Sequence, residues 1–86
     1  MINVEVLTPR KIELQTEATC LVLPTLAGEL SILPKHIPLI SVLRAGKMKI
    51  KTKEKEIAIE IEGGILEFSN DKAVILLKNF YNAKTF

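Results

Sequence analysis

Apolar and polar residues alternate with a period of two through much of the chain. The clearest examples are Val4 and Val6 between polar neighbours, Ile12 and Leu14 between charged or amide residues, and the isoleucines at positions 57, 59 and 61. Such alternation predicts short strands that turn one face toward a core and the other toward solvent.

Turn-forming residues separate these segments, at positions 8–10, 24–28, 34–38, 45–46, 63–64 and 69–71. About eight to ten strands with turns every 8–12 residues or so indicate a β-sandwich or a small β-barrel. The sequence has no internal repeat and no linker. We therefore predict one all-β domain over residues 1–78, followed by a short tail, 79–86.

Residues 47–62 predict a β-hairpin with two different faces. Lysine occupies positions 47, 49, 51, 53 and 55, so on a strand the lysines share one face and Met48 and Ile50 share the other. A turn around Glu54 and Lys55 makes every cross-strand pair either opposite in charge or apolar, which favours that register. The predicted pairs are Lys47 with Glu62, Lys49 with Glu60, Lys53 with Glu56, Met48 with Ile61, Ile50 with Ile59 and Thr52 with Ile57.

The lysines allow two functional interpretations. As the solvated face of a hairpin they pair with glutamates and protect the strand against edge-to-edge association. As a basic stripe they would bind nucleic acid, so the alternative function is a small β-barrel that binds nucleic acid through the stripe at 47–55. A base-stacking platform interleaves aromatic and basic side chains, and no aromatic residue lies within the stripe, which favours the hairpin interpretation.

Two strands carry more apolar residues than one face of a sheet can bury. These are residues 74–77, Val-Ile-Leu-Leu, and 21–23, Leu-Val-Leu. Side chains that point away from the core either form a partner surface or are covered by residues 78–86. The sequence leaves these two alternatives open.

Size and composition restrict the function classes. The chain has 86 residues, of which 48% are hydrophobic and only 5% aromatic. A chain this short buries about 60% of its unfolded surface, which leaves little room for a catalytic cleft, so we predict a protein that is not an enzyme. The net charge of +2 is ordinary for a globular domain and gives no support to nucleic-acid binding.

The single cysteine and the short apolar runs bear on location. Cys20 has no partner for an internal disulfide, which favours a reducing compartment. No apolar run approaches the roughly 20 residues that a membrane-spanning helix needs. The N-terminus also lacks the basic and apolar regions of a signal peptide. We therefore expect neither a membrane span nor a signal peptide.

Few residues could bind a metal, act as a nucleophile or hold a phosphate. A zinc site needs three or four clustered ligands, and one cysteine with one histidine does not supply them, so we expect no metal and no cofactor. A nucleophilic pair of Cys20 and His36 is formally available. Cys20 lies in an apolar run typical of a buried strand, which favours a structural role. Gly63 and Gly64 lack the spacing of a phosphate-binding loop and predict a bulge or a sharp bend.

Two segments resemble a known family. Residues 28–39 read Gly-Glu-Leu-Ser-Ile-Leu-Pro-Lys-His-Ile-Pro-Leu, and the pattern Gly-Glu-Leu-Gly-Ile-Leu-Pro-Gly-His-Ala-Pro-Leu is typical of the epsilon subunit of F-type ATP synthases. Residues 62–68, Glu-Gly-Gly-Ile-Leu-Glu-Phe, match a second family stretch at a similar distance downstream. The opening segment 4–9 also fits the start of the family, so the resemblance covers essentially the whole chain.

The resemblance implies a ten-stranded β-sandwich, the N-terminal domain of an epsilon subunit at the foot of the central stalk. Such a domain binds the gamma subunit, rests on the c ring and rotates with both, and it catalyses nothing. The implied location is the cytoplasmic face of the bacterial inner membrane, with membrane association only through the complex. It implies no small-molecule substrate and no nucleic acid as partner.

The resemblance also implies an interface along residues 29–39. Glu29 would pair with basic groups of the ring loops, and an exposed pair of this kind is worth about 0–1 kcal/mol. His36 lies between Pro34 and Pro38, which restrict the loop before binding. The alternative for His36 is a structural one, in which its ring bonds a local backbone carbonyl. The predicted interface residues are Glu29, Leu30, Pro34, His36, Pro38 and Leu39.

The chain departs from the family pattern at three positions or segments. Ser31 and Lys35 stand where the family usually has glycine. If the loop needs a positive φ at either position, a residue with a Cβ has to adopt it. Residues 78–86 are too few for the two-helix C-terminal domain that restrains ATP hydrolysis, and in some members binds ATP, in typical bacterial relatives. We therefore expect no C-terminal helical hairpin and no ATP site. Whether the ring carries protons or sodium depends on the c subunit and stays open.

Overall fold

A computed structural model describes residues 1–81 and 83–85. In chain order, the strands of these residues are β1 (Ile2–Leu7), β2 (Ile12–Ala18), β3 (Cys20–Thr25), β4 (Gly28–Ile32), β5 (Leu39–Leu43), β6 (Gly46–Lys51), β7 (Glu56–Ile61), β8 (Gly64–Ser69), β9 (Lys72–Leu77) and β10 (Ala83–Thr85). Within the described residues no helix has the length and apolar character needed to cross a membrane.

The strands form one sheet that curls into two layers. The first layer contains β10, β7, β6, β3 and β4 in that order, and the second contains β5, β8, β9, β1 and β2. One rung joins the layers, where Thr25 of β3 lies opposite Leu43 of β5. Pairing is antiparallel apart from β1, which runs parallel to β9. The predicted all-β sandwich is confirmed.

The core lies between the layers and follows from the alternation of apolar residues. On β1, Ile2, Val4 and Val6 are buried while Asn3 is exposed. Each layer turns such a face inward, so Ile, Leu and Val fill the space with few aromatic rings. The largest fully buried side chains are Phe68, Ile2, Leu21, Leu23, Ile32, Met48, Ile50, Ile59, Leu66, Ile75, Val4 and Val6.

The predicted hairpin forms from β6 and β7, but its predicted register is wrong by two residues. The observed pairs include Lys47 with Glu60 and Met48 with Ile59. The predicted pairs Lys47–Glu62, Lys49–Glu60 and Lys53–Glu56 therefore do not form. A shift of two residues keeps each side chain on its own face, which is why the charge and apolar pattern could not distinguish the two registers.

Thr52 explains the observed register. Its hydroxyl accepts hydrogen bonds from the N–H groups of Glu54 (3.3 Å) and Lys55 (3.1 Å) and donates one to the Lys55 carbonyl (3.1 Å). The Thr52 N–H also donates to the Lys55 carbonyl at 2.8 Å. These bonds centre the turn on Lys53 and Glu54 instead of the predicted Glu54 and Lys55.

Gly63 and Gly64 form the predicted sharp bend, where the chain leaves the first layer and enters the second. Gly63 has a φ of +136°, a conformation that residues with a Cβ rarely adopt. A Cβ on Gly64 would lie 2.4 Å from the Leu76 carbonyl oxygen and 2.9 Å from Leu77 Cδ2. The first glycine is needed for its backbone angle and the second for close strand approach.

The segment predicted as a tail contributes to the sandwich. Phe80 packs against the core, and β10 pairs with β7 through Ala83 opposite Ile59 and Lys84 opposite Ala58. The described part of this segment therefore extends the edge of the first layer and does not cover β9. Positions 82 and 86 of the predicted tail lie outside the described residues.

Candidate interaction site

The predicted interface residues lie along β4 and the loop that follows it. β4 pairs with β3 and has no strand on its other side within the described residues, so it is an edge of the first layer. Glu29 lies near the start of β4 with its side chain exposed, opposite Pro24. Leu30, the next residue, is half-buried and packs against the core. Glu29 is thus available to a partner, and Leu30 mainly anchors the strand.

Residues 33–36 form a tight turn directly after β4. The His36 N–H donates to the Leu33 carbonyl at 3.2 Å, Pro34 is the second residue of the turn, and Lys35 is the third with a φ of +68°. This is the pattern of a type II β-turn, whose third position favours glycine because its φ is positive. Lys35 therefore occupies the position where the sequence comparison placed a family glycine. Ser31, the other departure, is an ordinary residue of β4.

His36 has the local contact that the structural alternative predicted. Its Nδ1 lies 2.7 Å from the Ile37 carbonyl oxygen. The ring is half-buried and meets Phe68 edge-on, with 6.0 Å between ring centroids and 89° between planes. The His36 ring thus packs the loop against β8.

The loop joins β5 through the two remaining predicted residues. Pro38 is exposed, whereas Leu39 is half-buried, opposite Phe68, and packs against the core. The structure therefore gathers Pro34, His36 and Pro38 in one loop. Glu29 is separated from this loop by the length of β4, about 10 Å at the usual rise of a strand. The six predicted residues follow one edge and do not converge on a single point.

The second layer carries an apolar row on its outward face. Strand pairing places Val42, Ile65, Leu76, Leu7 and Ile12 side by side across all five strands. Val42 is 51% exposed, Ile65 45%, Leu76 47% and Ile12 53%. We call these five residues the outer apolar face. The prediction that residues 74–77 point apolar side chains outward is confirmed by Leu76.

The loop and the outer apolar face belong to one continuous surface. Ile40, 73% exposed, follows Pro38 and Leu39 and points outward on β5 two residues before Val42. A shallow, mostly apolar depression lies at the loop end of this surface, lined by Pro38, Leu39, Ile40, Glu67, Phe68 and Ser69. Sequence reasoning missed Ile40, Val42 and Ile65, although the run Leu-Ile-Ser-Val-Leu at 39–43 was a signal of the same kind as 74–77.

The lysine stripe faces outward on the first layer and has a mixed charge around it. Lys47 lies opposite Glu60, Lys49 opposite Ala58 and Lys51 opposite Glu56. Within the described residues none of these lysines forms a salt bridge. The salt bridge seen among the described residues lies in the second layer, where Lys72 Nζ of β9 is 3.8 Å from Glu5 Oε1 of β1. The cross-strand glutamates interrupt the positive charge, which disfavours a continuous phosphate-binding stripe.

Among the described residues, no hydrogen bond joins Cys20 to His36. The Cys20 thiol is half-buried on β3 and lies 3.7 Å from the Leu21 carbonyl oxygen, while the His36 ring packs on β8. The same part of the chain contains no group of three or more His, Cys, Asp or Glu side chains that could hold a metal.

Tyr81 closes the segment before β10 onto the bend after β7. Its hydroxyl donates to Glu62 Oε1 at 2.8 Å, and Asn79 Nδ2 donates to the same oxygen at 3.4 Å. The hydrogen bond to the Glu62 carboxylate raises the pKa of the Tyr81 phenol above its ordinary value. This contact ties the C-terminal segment to the bend after β7.

Comparison with known proteins gives a consistent family match. The family model described as "ATP synthase, Delta/Epsilon chain, beta-sandwich domain" matches residues 1–83. The ATP synthase epsilon chain of Moorella thermoacetica is 38% identical over 76 residues, which is 87% of this chain and 57% of that relative. The chain therefore spans little more than half the length of that relative.

Solved structures match the fold. A chain in the mitochondrial ATP synthase of Euglena gracilis, determined with its c ring, superposes with a TM-score of 0.85 at 18% identity, covering 98% of this chain and 52% of that chain. A chain in the central stalk and c ring of the Tetrahymena thermophila enzyme gives a TM-score of 0.77 at 19% identity, covering 94% and 66%. At such identities the similarity concerns the fold alone.

Proposed function

This chain belongs to the family of the ATP synthase delta/epsilon chain β-sandwich domain, and on that premise we propose that it is a non-catalytic rotor subunit of an ATP synthase. In that role it binds the gamma subunit and the c ring and couples ion translocation to ATP synthesis or hydrolysis. It is peripheral to the membrane, at the cytoplasmic face of the bacterial inner membrane, and is held there by the complex.

The outer apolar face is the observation that carries this proposal. A row of half-exposed Val, Leu and Ile across five strands is costly in water and marks a protein-binding surface. An apolar surface of this kind suits a permanent partner, and we assign it to the gamma subunit. Burial of the row would stabilise the complex by about 25 cal/mol for each Å² removed from water.

The edge formed by β4 and the loop at 33–38 is the second part of the proposed interface and carries both charged and apolar side chains. Glu29 and Lys35 carry opposite charges, and Pro34 and Pro38 lie exposed beside Leu33, which is 60% exposed, and Ile37, which is 75% exposed. We assign this edge to the loops of the c ring. Charged groups at an exposed rim set register more than affinity, so Glu29 orients the domain and the apolar face holds it.

Binding to the cognate gamma subunit tests the assignment directly. The chain and gamma are mixed at micromolar concentration, and the complex is followed by size-exclusion chromatography and calorimetry. We expect a one-to-one complex whose affinity changes little between 50 and 200 mM salt, since the interface is apolar. Nucleic-acid binding through the lysines would instead weaken steeply over that range. Absence of a complex would contradict the proposal.

Substitutions separate the two parts of the interface. Leu76→Asp places a carboxylate in the outer apolar face, and we expect at least about tenfold weaker binding of gamma because the charge is buried in the complex. Lys47→Asp, on the outward face of the first layer, is the matched control and leaves the affinity unchanged. Equal effects of the two substitutions would show that gamma does not bind the outer apolar face.

The role of the β4 edge is tested by measuring how well an ion gradient drives ATP synthesis. In membranes reconstituted with the complete enzyme, Glu29→Ala together with His36→Ala is expected to lower ATP synthesis at a fixed ion gradient while gamma binding is retained. Unchanged synthesis with both substitutions would remove the β4 edge from the interface and leave the apolar assignment intact.

A further inference from the structure

The turn at residues 33–36 is connected to a distant hairpin through one side chain. The Lys35 N–H donates to Asp71 Oδ1 at 2.5 Å across 36 positions of sequence. Asp71 lies in the two-residue turn between β8 and β9, where Ser69 pairs with Lys72. This contact joins the loop assigned to the c ring to the second layer of the sandwich.

Lys35 needs such a contact more than a glycine would. Its φ of +68° is unfavourable for a residue with a Cβ. Its N–H also lies outside the strand ladders, and a backbone N–H without a partner prefers a conformation that exposes it fully to water. A carboxylate acceptor forms a charge-assisted hydrogen bond, which is stronger than a bond between neutral groups. The Asp71 carboxylate therefore favours the one conformation in which Lys35 completes the turn.

The backbone of Asp71 is held in place by its own turn and by β1. Asn70 and Asp71 have φ values of +48° and +57°, the pattern of a type I′ hairpin turn, in which Asn and Asp are tolerated. The Asp71 carbonyl accepts a hydrogen bond from the Asn3 N–H at 2.8 Å. Its backbone is thus fixed by β1 as well as by the hairpin, so the carboxylate points at the loop from a rigid base.

We propose that Asp71 is a positioning residue, whose carboxylate replaces the conformational freedom of a glycine at position 35 and holds the turn 33–36 in its partner-binding shape. The inference rests on the proposed function, since it gives that turn a role in binding the c ring. Asp71 itself touches the loop and not the partner.

Hydrogen exchange in the full chain tests the anchor without any partner. We expect the Lys35 amide to exchange about tenfold faster in Asp71→Ala than in the wild type, and Asp71→Asn, which keeps a neutral acceptor, to lie between them. Asn70→Gly is the matched control, because it changes the neighbouring residue of the same turn and preserves its positive φ. An unchanged Lys35 amide in both Asp71 variants would overturn the proposal.

Rescue tests the positioning role in the assembled rotor. Asp71→Ala is expected to weaken binding to a complex of gamma and the c ring by about tenfold, and the double variant with Lys35→Gly is expected to bind within about twofold of Lys35→Gly alone. A merely structural defect would not be repaired by a glycine in the loop, so failure of this rescue overturns the proposal. If the wild-type chain itself does not bind, the proposed function fails, and the exchange result still decides whether Asp71 holds the loop.

Discussion

Thr25 lies at the junction of the two layers and provides a sharp test of how the turn before Glu29 is built. The side chain is buried, with 5% exposed. Its hydroxyl donates to the Gly28 carbonyl at 2.6 Å and accepts from the Ala27 N–H at 3.2 Å. The same residue forms the rung with Leu43 that joins the layers. Thr25→Val keeps the shape and β-branching and removes both hydrogen bonds.

The expected loss follows from those two bonds. Each is worth about 0.5–1.5 kcal/mol, so Thr25→Val should lower the free energy of unfolding by about 1–3 kcal/mol. For a domain of this size, each kcal/mol corresponds to about 4–8 °C in Tm. Thr25→Ser keeps the hydroxyl and loses one methyl group, which costs about 0.8 kcal/mol. The serine variant should therefore be the more stable of the two.

Urea unfolding followed by far-ultraviolet circular dichroism measures this order. The m-value should stay unchanged, since neither substitution alters the surface exposed on unfolding. Thr16→Val on β2 is the control, because the Thr16 hydroxyl makes only an exposed 3.4 Å contact with the next carbonyl. If apolar burial alone governed the site, Val would be neutral and Ser destabilising. That reversed order would refute the hydrogen-bond argument.

Two further predictions concern the bend after β7. Gly64→Ala should lower the free energy of unfolding by about 1–3 kcal/mol because its Cβ meets the Leu76 carbonyl oxygen at 2.4 Å; a wild-type urea midpoint would contradict the close approach. Tyr81, the single tyrosine of a chain without tryptophan, should ionise above the ordinary phenol pKa of about 10 in an absorbance titration. Glu62→Ala removes the acceptor that favours the protonated phenol, so the midpoint should fall toward that value, and an unchanged midpoint would rule out the contact.

The all-β character could be predicted because it depends on local pattern. Alternating residues such as Val4 and Val6 place one face in the core whatever strand lies beside them. The turn residues also act locally, and Gly63 and Gly64 bend the chain where expected. The family resemblance could be recognised in residues 28–39 because they are contiguous in sequence; that this segment forms an interface stays a prediction.

The register of β6 and β7 could not be derived from the same pattern. Two registers that differ by two residues place identical faces inward, and the hydrogen bonds of Thr52 select between them. Hydrogen bonds from a side chain to the backbone of its own turn depend on local geometry, and the pattern of apolar and polar residues does not predict them.

The sequence by itself determined which residues of each strand face the core, where the chain turns and which family it resembles. Only the tertiary structure decided which strands are neighbours. That order aligns Leu7, Ile12, Val42, Ile65 and Leu76 into one face and brings Asp71 to Lys35. The reason is physical: alternation constrains one strand at a time, whereas a surface that crosses five strands depends on pairings between residues far apart in sequence.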